Sequence, residues 1–485
     1  MHATRPRQIS RRSALKAAGV AAGALGVASA VPAAPAAAAG YAHPGLLHTG
    51  ADLQRMAAKV KAGAAPYTSG YAKLTANRHA QSGWTANPQS TVVRGGTGQN
   101  YAILYNDIHA AYQNGLRYHV GGDSAHADTA VAILNAWSAK LTSLAGSADR
   151  FLAAGLYGYQ AANAAELVRD RPDFELERFQ KTLRTVFSPL SESFLVEHNG
   201  AVVTNYWPNW DLTAMACVLA TGIFCDDTAK VEQAVEYFKN GTGLGAVRNA
   251  IPVVQDDGLA EWLEAGRDQG HALLGVGLMG TVCEMAWNQG IDLYGYDDSR
   301  FLKGAQYVAK WSLGNEVSYT ANTRKKGAIG GWSGTETASD AAGVDPTMTR
   351  PIWAMIANHY TKRRGLSAPY LTRIAAKAAP EGGGGDYGPN SGGYDQLGFG
   401  TLAFTRDKVT VADTEGGAPS PSASGSVTAG GSPATPSAAT TAAGKNGDLA
   451  ATGSTDLVAW TTATGITALA GGLLLLRRRG RRAAE

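Results

Sequence analysis

The chain runs to 485 residues with 43 basic and 39 acidic side chains, a formal charge of +4. That basicity sits at the ends: residues 1–39 hold five bases and no acid, and the part after Thr452 holds five bases against two acids, Asp456 and Glu485. Setting both ends aside leaves 33 bases against 37 acids, about −4, which excludes nucleic acid as a partner.

The first 39 residues read as an export signal. Ser10-Arg11-Arg12-Ser13-Ala14-Leu15-Lys16 precedes an Ala/Val/Gly-rich apolar segment closing on Ala37-Ala38-Ala39, the layout of a twin-arginine signal with a small-residue cleavage site. A basic arm for nucleic acid needs no apolar stretch behind it. From 40 to 410 the pattern is helical almost throughout, in amphipathic segments punctuated by Gly, Pro, Asp and Asn. The spacing predicts helices over 100–119, 125–144, 148–169, 174–187, 210–224, 228–239, 270–288, 298–313, 347–361 and 367–378. Helix pairs without a strict short repeat predict an all-α fold, an α/α barrel or toroid rather than a solenoid. Near the end of this body GFGTLAFT (398–405) predicts one short strand.

Two segments of the body carry more polar chemistry than a core needs. Asn205-Tyr206-Trp207-Pro208-Asn209-Trp210-Asp211 heads a helix. Its aromatic faces suit sugar rings as well as an interhelical core, whereas the short amide of Asn209 suits a cap or a ligand better than packing. Gly266-Arg267-Asp268-Gln269-Gly270-His271 opens the next long apolar helix, which runs into WNQGIDLYGYDDSR (287–300). If both are helical, Arg267 and His271 lie one turn apart on one face, where a cation and an imidazole reach one anionic ligand. Glycines 270, 275, 277 and 280 on this helix cost stability and permit close approach of a neighbour or a substrate. Cys217 and Cys225 lie eight residues apart in one helix, about 12 Å and too far to bridge. With Cys283 they are expected as small buried apolar side chains, a bridge from either to Cys283 being the alternative. No CxxC or His/Cys cluster points to a structural metal.

Two long connections, 320–346 and 381–396, exceed tight turns and read as loops closing over a cleft. The first holds Arg324, Lys325, Lys326 and Trp332, the second Tyr387 and Tyr394, a mixture suited to an acidic sugar chain. Residues 411–447, built of Ala, Ser, Thr, Gly and Pro, cannot offset the entropy of ordering and read as a flexible stalk. Residues 448–485 follow with Leu449-Ala450-Ala451-Thr452-Gly453, an apolar span over 457–476 and an Arg-rich tail. The span is long enough to cross a bilayer and the arginines hold its end inside. The order resembles an LAxTG-type sortase sorting signal of Gram-positive bacteria, cut between Thr452 and Gly453 and joined to peptidoglycan; a simple membrane anchor is the alternative.

Taken together, HPGLLHT (43–49), NYAILYNDIHAAYQNGLRYHVGGD (100–123), Asn209-Trp210, GRDQGH, WNQGIDLYG with Asp298 and Arg300, TRPIWAMIANHY (349–360) and GFGTL resemble the alginate lyase superfamily of polysaccharide lyases. The likeness spans 43–405 and is nearest to the branch acting on alginate or glucuronan with a single α/α toroid. It implies β-elimination on an acidic polysaccharide without a redox cofactor or an obligatory metal. Asn209 then stands where the family binds the uronate carboxylate. Related lyases have His where this chain has Trp210, which moves the histidine role to His271. Arg267 and Arg350 are the guanidiniums the resemblance suggests, and Tyr294 is the favoured phenol, with Tyr360 and Tyr319 as alternatives. Trp207, Trp210 and Trp332 complete the expected substrate contacts. An α/α-barrel glycoside hydrolase would instead draw a carboxylate pair from Asp256, Asp257, Glu261, Glu264 and Asp268. A non-catalytic wall protein would need only the aromatics.

Overall fold

A computed structural model describes residues 40–408 of the chain. The expected signal (1–39), stalk (411–447) and sorting segment with its span (448–485) lie outside the described residues, and among those described no helix is long and apolar enough to cross a membrane.

The body from Tyr41 onward is helical. It opens with α1 (Gly50–Lys61), whose Thr49 and Asp52 form a reciprocal capping box, and α2 (Tyr67–Ala76). Then come β1 (Thr91–Arg94), α3 (Tyr101–Gly121), α4 (Ser124–Lys140), β2 (Ser143–Gly146) and α5 (Asp149–Glu166). The middle holds α6 (Leu176–Thr182), α7 (Ser188–Glu197), α8 (Pro208–Phe224), α9 (Thr228–Asn240), α10 (Val247–Ala250), α11 (Gln269–Trp287) and α12 (Tyr296–Ser312). A hairpin of β3 (Asn322–Gly327) and β4 (Ser333–Ala338) precedes α13 (Trp353–Asn358), α14 (Pro369–Ala378) and α15 (Gly400–Ala403).

Sequence composition sorts these helices into two layers. Every residue of α8 is buried, as are nearly all of α5 and α11, which are apolar on all sides and so belong inside. Amphipathic α9 and α14 cover the outside. The inner helices contact one another in succession, α3 on α5, α5 on α8, α8 on α11, α11 on α13, and α13 on α15, which meets α1, itself packed on α3. That succession closes a ring, with α4, α7, α9, α12 and α14 outside it, the α/α arrangement expected.

Glycine contacts give the direction of the helices. A Cβ at Gly155 would press on Thr213 and one at Gly158 on Cys217; Gly277 faces Ile352 and Gly280 faces Ile356. Both pairs ascend together, so α5 runs parallel to α8 and α11 to α13. Tyr105 and His109 of α3 likewise meet Tyr157 and, through the Tyr394 carbonyl, Gln160 of α5. The amino-terminal ends of α3, α5, α8, α11 and α13 therefore gather at one end of the ring, where Asn209 and His271 lie, whereas α1 starts at the other end, its Asp52 paired with Arg406 beside Glu284.

Several expectations are corrected. GFGTLAFT forms no strand: Gly398 and Phe399 take positive φ, turning the chain into α15, and a single bridge from Gly398 to Gly383 is all the pairing there. Residues 141–144 leave the helix and enter β2, which pairs in parallel with β1. The helix expected from 347 starts only at Trp353. The connection 320–346 is not structureless, since β3 and β4 pair in antiparallel register from Asn322 opposite Ala338 to Gly327 opposite Ser333. The second connection turns inward at its end, where Tyr394, Asp395 and Gln396 are buried. The three cysteines are buried free thiols, and no bridge to Cys283 forms.

Candidate active site

The turn before α11 organises the site. Leu263–Gly266 forms one 3-10 turn, Arg267 follows, and Asp268 caps α11 in an extended conformation. The helix thus begins after Arg267, so Arg267 and His271 are not helical neighbours as the spacing suggested. They meet through Asp268 instead. Its Oδ1 accepts the His271 backbone N–H at 2.8 Å, and its Oδ2 lies 2.7 Å from His271 Nδ1 and 3.4 Å from Arg267 Nε. Partial burial raises the Asp268 carboxyl's pKa, but the bonds from His271 and the charge of Arg267 outweigh it and hold the pKa at about 2. A carboxylate there accepts a hydrogen bond from Nδ1, so the neutral imidazole carries its lone pair on Nε2. The His271 side chain is 21% exposed, and no described protein group bonds to Nε2.

Behind this dyad lies Glu264, fully buried. Burial drives its carboxyl upward, while Arg267 draws it back. Arg267 Nη1 donates to Glu264 Oε1 at 3.1 Å, and the Asn209 backbone N–H reaches Glu264 Oε2 at 3.3 Å. Asn209 sits in the first turn of α8 after Pro208, where a missing N–H costs nothing. Its side chain is buried, and its Oδ1 has no hydrogen-bond partner among the described residues. Trp207 packs with Leu244 and Leu263, and two guanidiniums attend its ring, Arg324 at 4.4 Å and Arg267 at 5.9 Å. Arg324 also donates to the carbonyls of Thr204 and Asn205 and pairs with Glu336 across the hairpin. Asn209, Arg267, His271 and Trp207 are thus brought together, joined by Glu264, Asp268 and Arg324.

Of the three tyrosines, Tyr319 alone touches this neighbourhood. Its hydroxyl donates to the Leu263 carbonyl at 2.8 Å, and it packs against Gly266. Tyr294 is fully buried, with its hydroxyl 3.1 Å from Glu284 Oε2 and 3.3 Å from the Gly280 carbonyl. Those positions lie nine and thirteen residues along α11 from His271, roughly 14 to 20 Å at the helical rise. Tyr360 donates to the Tyr294 carbonyl at 3.0 Å in the same core. Neither phenol belongs to the His271 cluster, which corrects the expectation. Trp210 is buried against Tyr206 and Phe194, where packing rather than ligand contact accounts for it. Trp332 stands at the hairpin tip, 68% exposed. The proposed carboxylate pair dissolves too: Glu261 accepts from Thr320 and Gln255, Asp256 and Asp257 lie on an exposed turn, and Glu264 and Asp268 are engaged as described.

A second group at the same end of the ring joins Arg350 and Tyr394 to side chains that carry no assigned role in the sequence. Arg350 reaches Asp395 at 3.2 Å. Arg94 donates to the Tyr157 hydroxyl at 3.0 Å and lies over the Tyr101 ring. Tyr105 stacks on Tyr394 with centroids 4.2 Å apart, and Arg78 reaches both the Tyr394 hydroxyl and the Trp84 face. The available signal was Tyr101 and Tyr105 one turn apart behind Arg94; their partner Tyr394 sits nearly 300 residues away in the chain.

The chain resembles known proteins in two comparisons. A family model described as "Alginate lyase" matches residues 72–318, about half of the chain. No curated protein matches it. Among solved structures, alginate lyase A1-III from Sphingomonas species A1 is 16% identical with a TM-score of 0.47, over 73% of this chain and 95% of that one. A variant of the same enzyme complexed with a tetrasaccharide is 14% identical with a TM-score of 0.48, over 74% and 95%. An alginate lyase from Bacteroides ovatus is 16% identical with a TM-score of 0.36, over 54% and 82%.

Proposed function

Because the chain belongs to the alginate lyase family and is a polysaccharide lyase, we propose that it cleaves a uronate polymer, alginate or glucuronan, at the α8–α11 end of its ring. The observation that carries this reading is the Asp268–His271 dyad, to whose Nε2 no described group bonds, with Arg267 against the same Asp268 carboxylate. The C5 proton of a uronate becomes removable when the charge building on its carboxylate is met by fixed donors. Arg267 and the Asn209 amide supply those donors. His271 Nε2 takes the C5 proton as Asp268 steadies the imidazolium. The C4–O4 bond breaks as C4=C5 forms, and the imidazolium returns its proton to O4 where the two lie on one face of the sugar. Trp207, Tyr319 and Arg350 are assigned to substrate contact, as is Trp332.

The export signal and the LAATG segment support a place at the cell surface: passage through the twin-arginine machinery, then cleavage by a sortase after Thr452 and attachment to peptidoglycan. Fractionation of cells producing the Thr452→Ala variant tests this, since the wall-bound pool should move to membrane or medium.

Incubation of the protein with alginate, polyglucuronate and neutral glucans tests the activity. A near-ultraviolet signal from the conjugated double bond, rising with reducing ends on a uronate polymer, is expected. Reducing ends without that signal on every polymer would replace elimination by hydrolysis.

A further inference from the structure

The β3–β4 hairpin holds a large aromatic side chain that the fold does not use. Trp332 is 68% exposed, and a freely moving loop would explain that cheaply. This hairpin is instead pinned along its β3 edge. Val202 N–H donates to the Gly327 carbonyl at 2.9 Å, Ile329 N–H to Gly200 at 2.9 Å, Gly327 N–H to Asn205 Oδ1 at 2.8 Å, and Thr204 Oγ1 to Lys325 at 2.9 Å. An indole held in water on a fixed support forgoes the gain that burial would bring.

Its surroundings are specific. The benzo ring lies against Gly334, where an added Cβ would sit 3.2 Å from Cζ2 and 3.3 Å from Cη2. Gly334 is the register partner of Lys326, so the Lys326 side chain leaves the hairpin on the face against which the indole lies. Because strand side chains alternate, Lys326 shares its face with Arg324, while Lys325 points to the opposite face. That face carries two cations against one acid, Glu336, which lies 3.7 Å from Lys326 Nζ and also pairs with Arg324. Arg324 in turn covers Trp207, whose ring Arg267 also attends. From the reacting end outward the order is His271, Arg267, Trp207, Arg324, then Lys326 with Trp332, the last step about 7 Å along the strand.

We infer that Trp332 and Lys326 form a distal subsite for a uronate residue away from the bond being cut, the indole stacking on the ring and the ammonium pairing with its carboxylate. The inference rests on the uronate-lyase reading above. The hairpin's net positive face suits an acidic chain, and its pinned edge lets Trp332 bind without an ordering cost.

Kinetics on a long polymer and on the shortest oligomer cleaved, with Trp332→Ala, Lys326→Gln and Lys325→Gln, test it in the full chain. Trp332→Ala should raise KM on the polymer about five- to tenfold and on the short oligomer by less. Lys326→Gln should act in the same sense, and Lys325→Gln should leave both KM values as they were. Equal KM for Trp332→Ala and the parent on the polymer overturns the subsite, as does an equal rise on both substrates. Electrophoresis through gels containing polyuronate or neutral glucan separates this from failure of the lyase reading. Retardation by polyuronate that Trp332→Ala weakens supports the subsite whether or not elimination occurs. Retardation that ignores Trp332, or none at all, overturns it.

Discussion

The two ends of α11 use the same residue types to opposite purpose. At its start, Arg267, Asp268 and His271 form a cluster in which the His271 side chain is 21% exposed and no described group bonds to its Nε2. At its other end, Glu284 takes both Nη groups of Arg363 at 2.8 Å, lies 3.7 Å from Arg406, and receives the Tyr294 hydroxyl. His359 stacks on Tyr294 with centroids 3.6 Å apart. Burial first, then Arg363, Arg364 and Arg406, push its pKa down to about 2. The distal cluster is sealed and holds helices together. Burial rather than residue type separates the two clusters: the His271 side chain is 21% exposed and His359 is 1% exposed.

His271→Ala should break the open cluster most visibly, lowering kcat/KM about 10³-fold while thermal unfolding stays near the parent's. Retained turnover would remove His271 from the reaction. Glu284→Ala attacks the sealed cluster, leaving Arg363 buried without its partner. It should cost about 3–5 kcal/mol in denaturant unfolding, with kcat per folded molecule preserved. A selective loss of kcat instead would mean that the two ends are not functionally distinct. Arg267→Ala should cost about 10²-fold in kcat/KM through loss of carboxylate stabilisation, seen mainly in kcat. Tyr294→Phe deletes one buried hydroxyl and should lower stability by about 1 kcal/mol with kcat unaltered; a large fall in kcat would restore it as the catalytic phenol.

The smallest effect concerns pH. The Asp268 pKa is depressed to about 2 in the folded protein, below its ordinary value. Its stabilising contribution is therefore complete above about pH 4 and fades as pH falls towards 2. Solvent at the half-exposed carboxylate keeps this contribution small. Thermal melts of Asp268→Asn against the parent across that window should converge at the acid end. A constant gap would show that the carboxylate charge contributes nothing.

Much of this molecule was legible in its residues. The periodicity of 148–169, 210–224 and 270–288 marked the inner helices, because helices apolar on every side must be buried. GRDQGH drew attention because Asp268 can cap a helix and meet His271 with the same carboxylate. The hairpin escaped notice because its alternation is of threonine and charge rather than of apolar residues. Helices α1 and α2 lack a long apolar periodicity of their own, being 12 and 10 residues long. Tyr294 was misplaced because proximity along WNQGIDLYG says nothing about which end of a nineteen-residue helix a side chain returns to.

The sequence by itself determined the helical class, the family resemblance and the segment that opens α11, since periodicity, capping and motif are local properties of the chain. Only the tertiary structure decided which tyrosines are sealed, that Glu264 and Asp268 flank Arg267, that Arg324 returns from a distant hairpin to cover Trp207, and that Tyr394 enters the ring. Those facts depend on how helix ends are gathered and what water can reach, and neither is written in the spacing of residues along the chain.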